Sequence, residues 1–238
     1  MAEIRSNKTQ VERNSMVKIY RDRSEAGREL ALILTAYAQR QDVLVLALPR
    51  GGVPVGYEVA KALQAPLDVF VVRKLGVPGH EELAMGAIAT GGIRVINEEV
   101  VQMLHIPQEV IDAVVAKEQR ELERRERLYR DDRPPPDVNR CIVILVDDGL
   151  ATGSTMLAAA VAVRQQHPAR LVVAVPVAAP STCEELSTEV DEVVCAQTPE
   201  PFYGVGYWYE DFSQLSDEEV HDLLSQAEQE RPVAARKQ

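Results

Sequence analysis

The chain of 238 residues carries 37 acidic and 26 basic side chains, a formal charge of −11, with 46% hydrophobic and 26% charged residues. This is globular rather than disordered composition, and its acidity excludes a general nucleic-acid binder, which needs a basic surface to release counterions from phosphates. The longest apolar run, residues 171–179, contains Pro176 and falls far short of the roughly 20 residues that a membrane span requires.

The first 16 residues are polar and aperiodic and read as a mobile tail. They hold no apolar core of a secretory signal, so the expected compartment is the cytoplasm. Cys141, Cys183 and Cys195 show no metal spacing and read as reduced thiols in or beside strands. Ser24 offers an N-cap to a helix marked by Ala26, Leu30, Ile33, Leu34 and Tyr37. An apolar run at 43–48 then ends in Pro49-Arg50-Gly51-Gly52, the pattern of a strand entering a Gly-rich turn. A helical stretch at 54–63 and a β-branched run at 67–72 complete a βαβ unit.

Residues 75–92 carry five glycines and too few periodic apolar residues for a defined element, and read as a functional, mobile loop. Residues 108–130 form a long helix with Val110, Ile111, Val114 and Val115 on one face. Its second half is charge-laced, but residues 117–133 hold seven basic and six acidic groups, so it reads as a solvated face rather than a cationic one. After Pro134-Pro135-Pro136 the α/β rhythm resumes: strand 142–146, turn 147–153, helix 154–166, strand 171–175, helix 181–188 and strand 190–194. Near-continuous apolar runs indicate strands buried on both faces, as in a parallel sheet with helices on either side.

The expected fold is therefore α/β: one domain over residues 17–226, with a five-stranded parallel sheet and tails at 1–16 and 227–238. Residues 201–230 contain no Lys or Arg. Within them, residues 202–212 hold six of the chain's eleven aromatic residues, and Ser216 and Glu219 form a capping box for a short amphipathic helix. The four histidines are scattered and suggest neither a metal site nor a triad.

The chemistry concentrates in VILVDDGLATGST, residues 143–155. A buried strand delivers Asp147 and Asp148, and a turn of small residues then opens a helix. Backbone N–H groups and three hydroxyls at that helix start make a site for a phosphate monoester. The carboxylates repel phosphate and suit vicinal hydroxyls or a divalent cation about one sugar's width away. Phosphate on one side and a diol on the other describe a ribose 5-phosphate. Neither G-x-x-x-x-G-K-[ST] nor a G-x-G-x-x-G after a strand is present, which argues against a P-loop and a dinucleotide fold.

Residues 143–155 resemble the 5-phosphoribosyl-1-pyrophosphate (PRPP) motif of type I phosphoribosyltransferases. LPRGG at 48–52 is similar to the family's pyrophosphate loop, and VVRK at 71–74 to its following basic pair. Residues 75–92 lie where the family has a flexible catalytic loop, and FYGVGYWY at 202–209 where purine-using members have a base-binding hood. The resemblance spans residues 24–224 and points to a less-characterised branch. It implies a type I fold with a small hood, and Mg²⁺-dependent transfer of 5-phosphoribosyl from PRPP to a nitrogenous base of purine type, by a homodimer without nucleic-acid or membrane partners.

The roles it implies are specific. Asp147 and Asp148 would hold the ribose hydroxyls directly or through Mg²⁺, and Ala151, Thr152, Gly153, Ser154 and Thr155 would cradle the 5′-phosphate. Arg50, Gly51 and Gly52 would meet the pyrophosphate, often through a non-proline cis peptide in the family. Arg73 or Lys74 would neutralise its departing charge. Phe202 and Tyr203 would stack on the base, with Val205 presenting backbone to its edge. Many 6-oxopurine-using members have Asp where this chain has Ala151, whereas adenine-using members can place a catalytic Glu on the mobile loop, a part open to Glu81 or Glu82. The hood points toward 6-oxopurines, so the base stays open. The alternatives are a PRPP-sensing regulator of the same fold, and a core that hydrolyses PRPP or uses a non-base acceptor.

Overall fold

The structure, a computed structural model, describes residues 18–131 and 133–230. In chain order the elements are α1 (Arg23–Ile33), β1 (Val43–Ala47), α2 (Gly52–Leu63), β2 (Leu67–Val69), β3 (Val72–Val77), β4 (His80–Ala89), β5 (Ile93–Ile96), α3 (Glu98–Met103), α4 (Gln108–Arg130), β6 (Ile142–Val146), α5 (Ser154–Arg164), β7 (Arg170–Val177), α6 (Pro180–Leu186), β8 (Glu192–Gln197) and α7 (Asp217–Glu230), with 3₁₀ turns at Thr35–Tyr37 and Val205–Trp208.

A five-stranded parallel sheet in the order β2-β1-β6-β7-β8 forms the centre. Every residue of β1 and β6 is buried, as continuous apolar runs require. Alternate side chains serve opposite faces: Val45, Ile144 and Val172 pack with Leu30 of α1 and Val55 and Val59 of α2, while Leu46, Leu145 and Val173 pack with Met156, Ala159 and Val163 of α5. The cap of α1 is Asp22 rather than Ser24, with the Asp22 carboxylate accepting from the Glu25 N–H at 2.7 Å. The chain leaves β1 toward β2 on one side and leaves β6 toward β7 on the other. The loops after these two adjacent strands therefore start side by side at the strands' C-terminal ends before their chains part, the usual ligand position in such sheets.

Residues 67–72 are not one strand. Phe70 N–H still bonds to Ala47 C=O, but Val71 N–H donates to Thr90 Oγ1 while Thr90 N–H donates to Val71 C=O, each at 2.9 Å. That exchange turns the chain into a second, antiparallel sheet, β3-β4-β5. Residues 75–92, expected as a mobile loop, are thus largely strand. Val72 pairs with Ala89, Lys74 with Ala87 and Val77 with His80, around a Pro78-Gly79 turn in which Gly79 has φ +81°. Leu75, Met85 and Ile88 are buried against Ile111, Val115 and Leu122 of α4. The glycines and the irregular register near Gly76 hid this alternation in the sequence.

The charged half of α4 is also less solvated than its composition suggests, because it buries Leu122, Tyr129 and Arg130. The Arg130 guanidinium is 2% exposed, pairs with Asp68 and Glu126, and donates to Val69 C=O. Helix α7 opens on the expected box: Glu219 N–H donates to Ser216 Oγ at 3.1 Å and Ser216 N–H to Glu219 Oε2 at 2.7 Å. It runs to Glu230, so residues 227–230, assigned to a tail, are helical. The remaining tail assignments, 1–16 and 231–238, lie outside the described residues. Cys183 of α6 and Cys195 of β8, read from the sequence as separate reduced thiols, are brought together as a pair whose Cα atoms lie 7.2 Å apart, and Cys141 is free. Local spacing could not reveal that α6 folds back beside β8. No helix among the described residues is long and apolar enough to cross a membrane.

Candidate active site

Strand β6 ends at Val146, and Asp147 and Asp148 follow at the C-terminal end of the sheet. Asp147 Oδ1 accepts from the Asp148 N–H at 2.8 Å, and Asp148 Oδ2 accepts from Arg23 Nε at 2.8 Å. Burial holds the Asp147 carboxyl well above the ordinary carboxylate range, and the charge of Asp148 adds to the effect. Burial raises Asp148 too, against the opposing hydrogen bond from Arg23. An acidic pair so poorly compensated favours a ligand that brings hydroxyl donors or positive charge.

Five residues after Asp148, Gly153 adopts φ +68°, a left-handed conformation that glycine accepts without cost, and α5 begins at Ser154. A Cβ at Gly153 would also lie 2.5 Å from Thr182 Cγ2. Thr182 of α6 steadies the turn by donating its hydroxyl to Ala151 C=O at 2.6 Å. The amides of residues 152–155 have no protein acceptor among the described residues, and Thr152, Ser154 and Thr155 are exposed. This is the free amide cluster of a helix N-terminus, suited to an anion.

The loop after β1 meets the acidic pair directly. A Cβ on Gly51 would fall 2.0 Å from Asp148 Oδ2, and one on Gly52 would fall 2.6 Å from Val146 O and 2.9 Å from Asp147 Cα. The Pro49–Arg50 peptide is cis. The Arg50 guanidinium is partly exposed and stands 3.9 Å from Asp217, which starts α7 and accepts from the Tyr129 hydroxyl at 2.6 Å. Hood residue Val205 closes the other side: its Cγ1 would lie 2.6 Å from a Cβ on Gly149.

The other expected residues stand apart from this cluster. Arg73 is bound to Glu118 of α4 at 2.6 and 2.9 Å. Lys74 reaches Glu82 at 3.4 Å across the hairpin, where Glu82 is fully exposed, and Glu81 accepts from Gly79 N–H. Phe202 is half-buried against the small core of Tyr20, Ala26, Val177, Trp208 and Tyr209, whereas Tyr203 is 69% exposed and pairs with Tyr207 at 5.1 Å. Sequence reasoning missed the part played here by Arg23, Thr182, Tyr209 and Asp217; Arg23 and Thr182 lie in no motif, and Tyr209 and Asp217, though inside the aromatic stretch and the capping box, reach the site only through the fold.

The model of the phosphoribosyl transferase domain matches residues 15–210. The chain belongs to this family. Two proteins that carry the name phosphoribosyl transferase, from Mycobacterium tuberculosis strains CDC 1551 and H37Rv, are each 46% identical to it over 211 residues, 89% of this chain. The alignment covers 47% of their length, so the chain spans about half of the curated relatives it matches. In structure it is similar to TT1426 from Thermus thermophilus, with a TM-score of 0.78 and 41% identity over 87% of this chain and 98% of that one. The α/β fold with its parallel sheet is thus the fold of a phosphoribosyl transferase domain.

Members of such a family are expected to act with Mg²⁺, and the residues present suit it. No group of three or more His, Cys, Asp or Glu among the described residues could hold a metal alone. Mg²⁺ keeps several waters and takes one or two carboxylates together with substrate phosphates, and Asp147 and Asp148 offer such a pair beside an anion site.

Proposed function

We propose that this chain transfers the 5-phosphoribosyl group of PRPP to a nitrogenous base, with release of pyrophosphate. The observation that carries this reading is the juxtaposition, at the C-terminal end of the sheet, of two partly buried carboxylates with the unpaired amides of residues 152–155. The amides and the hydroxyls of Thr152, Ser154 and Thr155 bind the 5′-phosphate. Asp147 and Asp148 accept hydrogen bonds from the ribose diol and are the residues that would hold Mg²⁺. The ion, when bound, supplies Lewis-acid stabilisation of the pyrophosphate charge.

As the C1–O bond breaks, positive charge builds on the ribose and negative charge on the leaving group. Arg50 and the backbone at Gly51 and Gly52, packed against Asp148 and Asp147, are positioned to stabilise the second charge. The base attacks C1 from the hood side, where Tyr203 is open to stack and Val205 borders Gly149. The purine preference rests on the aromatic hood.

A second reading, a PRPP-binding regulator without transfer, is favoured by one observation: Arg73 is committed to Glu118 and Lys74 to Glu82, leaving Arg50 as the basic side chain at the pyrophosphate loop. The test is pyrophosphate release from Mg·PRPP across a panel of purine and pyrimidine bases, beside calorimetric PRPP binding. Base-dependent release is expected. Tight PRPP binding with no release from any base turns the assignment to the regulator, and no binding refutes both.

A further inference from the structure

Arg23, the first residue of α1, lies outside every motif yet sits at the junction of the acidic pair and the hood. Its Nε donates to Asp148 Oδ2 at 2.8 Å, and the two side chains are only 11% and 14% exposed. Its Nη1 donates to Ser213 C=O at 2.9 Å, and its guanidinium carbon lies 4.0 Å from the centroid of the Phe212 ring. Phe212 in turn stacks on Tyr209 at 5.1 Å, and the Tyr209 hydroxyl donates to Asp148 C=O at 2.6 Å. One guanidinium therefore binds a carboxylate, a backbone carbonyl and an aromatic face at once, which its planar fork permits and a lysine ammonium does not.

The consequence for Asp148 is orientation. Among the described residues Oδ2 is taken by Arg23 while Oδ1 accepts no hydrogen bond; on Asp147, Oδ1 is taken by the Asp148 N–H while Oδ2 is left. Each carboxylate is thus pinned by one oxygen and presents the other. We infer that Arg23 is a positioning residue: it aims Asp148 at the ribose site and ties the hood segment, residues 209–213, to that carboxylate. The ribose half of this inference rests on the proposed function; the tie to the hood does not.

The test uses Arg23→Gln, Arg23→Lys and Phe212→Leu, with Arg28→Gln as a control on the same helix, where Arg28 pairs with Glu58 at the surface. Two readouts are taken on the full chain: calorimetric affinity for PRPP with Mg²⁺, and amide exchange of residues 209–213 without ligand. Arg23→Gln is expected to weaken PRPP binding by about tenfold or more, the scale of one charge-assisted hydrogen bond, and to speed exchange in the hood. Arg23→Lys is expected to regain part of the affinity but not the exchange protection, since an ammonium cannot hold both ends, and Arg28→Gln should change neither.

Unchanged affinity in Arg23→Gln overturns the inference, as does lost affinity with unchanged exchange, which would make Arg23 a simple charge partner. If the unaltered protein binds no PRPP, the proposed function fails and exchange alone decides the tie: faster exchange upholds it and unchanged exchange overturns it. Should Arg23→Gln not fold, Arg23→Lys and Phe212→Leu carry both readouts.

Discussion

Replacing Gly51 by Ala tests the centre of the site with a single methyl group. The Gly51 backbone is right-handed, φ −58° and ψ −36°, so alanine is conformationally welcome and by itself would stabilise the chain by about 0.4–1 kcal/mol through the unfolded state. The new Cβ, however, would fall 2.0 Å from Asp148 Oδ2 and 2.6 Å from its Cγ. Asp148 has little room to yield: Arg23 holds its carboxylate, Tyr209 holds its carbonyl, and Val205 covers the next residue, Gly149. Overpacking of this kind costs about 1–3 kcal/mol.

The net expectation for Gly51→Ala is a loss of about 1 kcal/mol, or roughly 2–4 °C in Tm for a domain of this size, with a larger proportional loss of PRPP affinity because the displaced group is the proposed ribose ligand. Urea denaturation and PRPP calorimetry read the two effects. Gly91→Ala is the control, since Gly91 has φ +83° with nothing within 4 Å of its Cβ position; it should lower stability without touching PRPP binding. A Gly51→Ala protein as stable as the parent, with the same PRPP affinity, would refute the argument that Asp148 is pinned against this loop.

Tyr203→Ala should weaken acceptor use several-fold to about tenfold in steady-state kinetics, the worth of one stacking contact, while leaving PRPP affinity unchanged. Phe202→Ala, by contrast, should chiefly lower thermal stability, because Phe202 packs into the small aromatic core. Asp217→Asn keeps an acceptor for Tyr129 but removes a negative charge 3.9 Å from Arg50. Product inhibition by pyrophosphate should then tighten by up to about fivefold, the ~1 kcal/mol of a Coulomb contact in water, and fade with added salt. The hydrogen bond to Asp131 raises the His221 pKa above its ordinary 6.5, so the pair's contribution to stability is complete below that value and lost as pH rises through the folded value. Thermal unfolding should therefore separate His221→Asn from the parent on the acid side and merge the two at alkaline pH.

Much of this protein is decided by neighbours in sequence. The apolar runs at β1, β6 and β7, the 3.6-residue spacing of α4 and the Ser216–Glu219 box each act within a few residues, so the parallel α/β core and the ends of several helices are legible without coordinates. The same holds for the acidic pair and the amide cluster, because a strand, a short turn and a helix start bring them together locally. Tertiary structure alone decides the rest. The hairpin over residues 75–92 is formed by cross-strand register and burial under α4, which its glycines conceal. Arg73 meets Glu118 across 45 residues, Tyr129 meets Asp217 across 88, and Arg23 meets Asp148 across 125. A charged or phenolic side chain carries no local signal of its partner. Its choice is made only when the topology sets two distant groups within a hydrogen bond of each other and removes the water that would otherwise serve both.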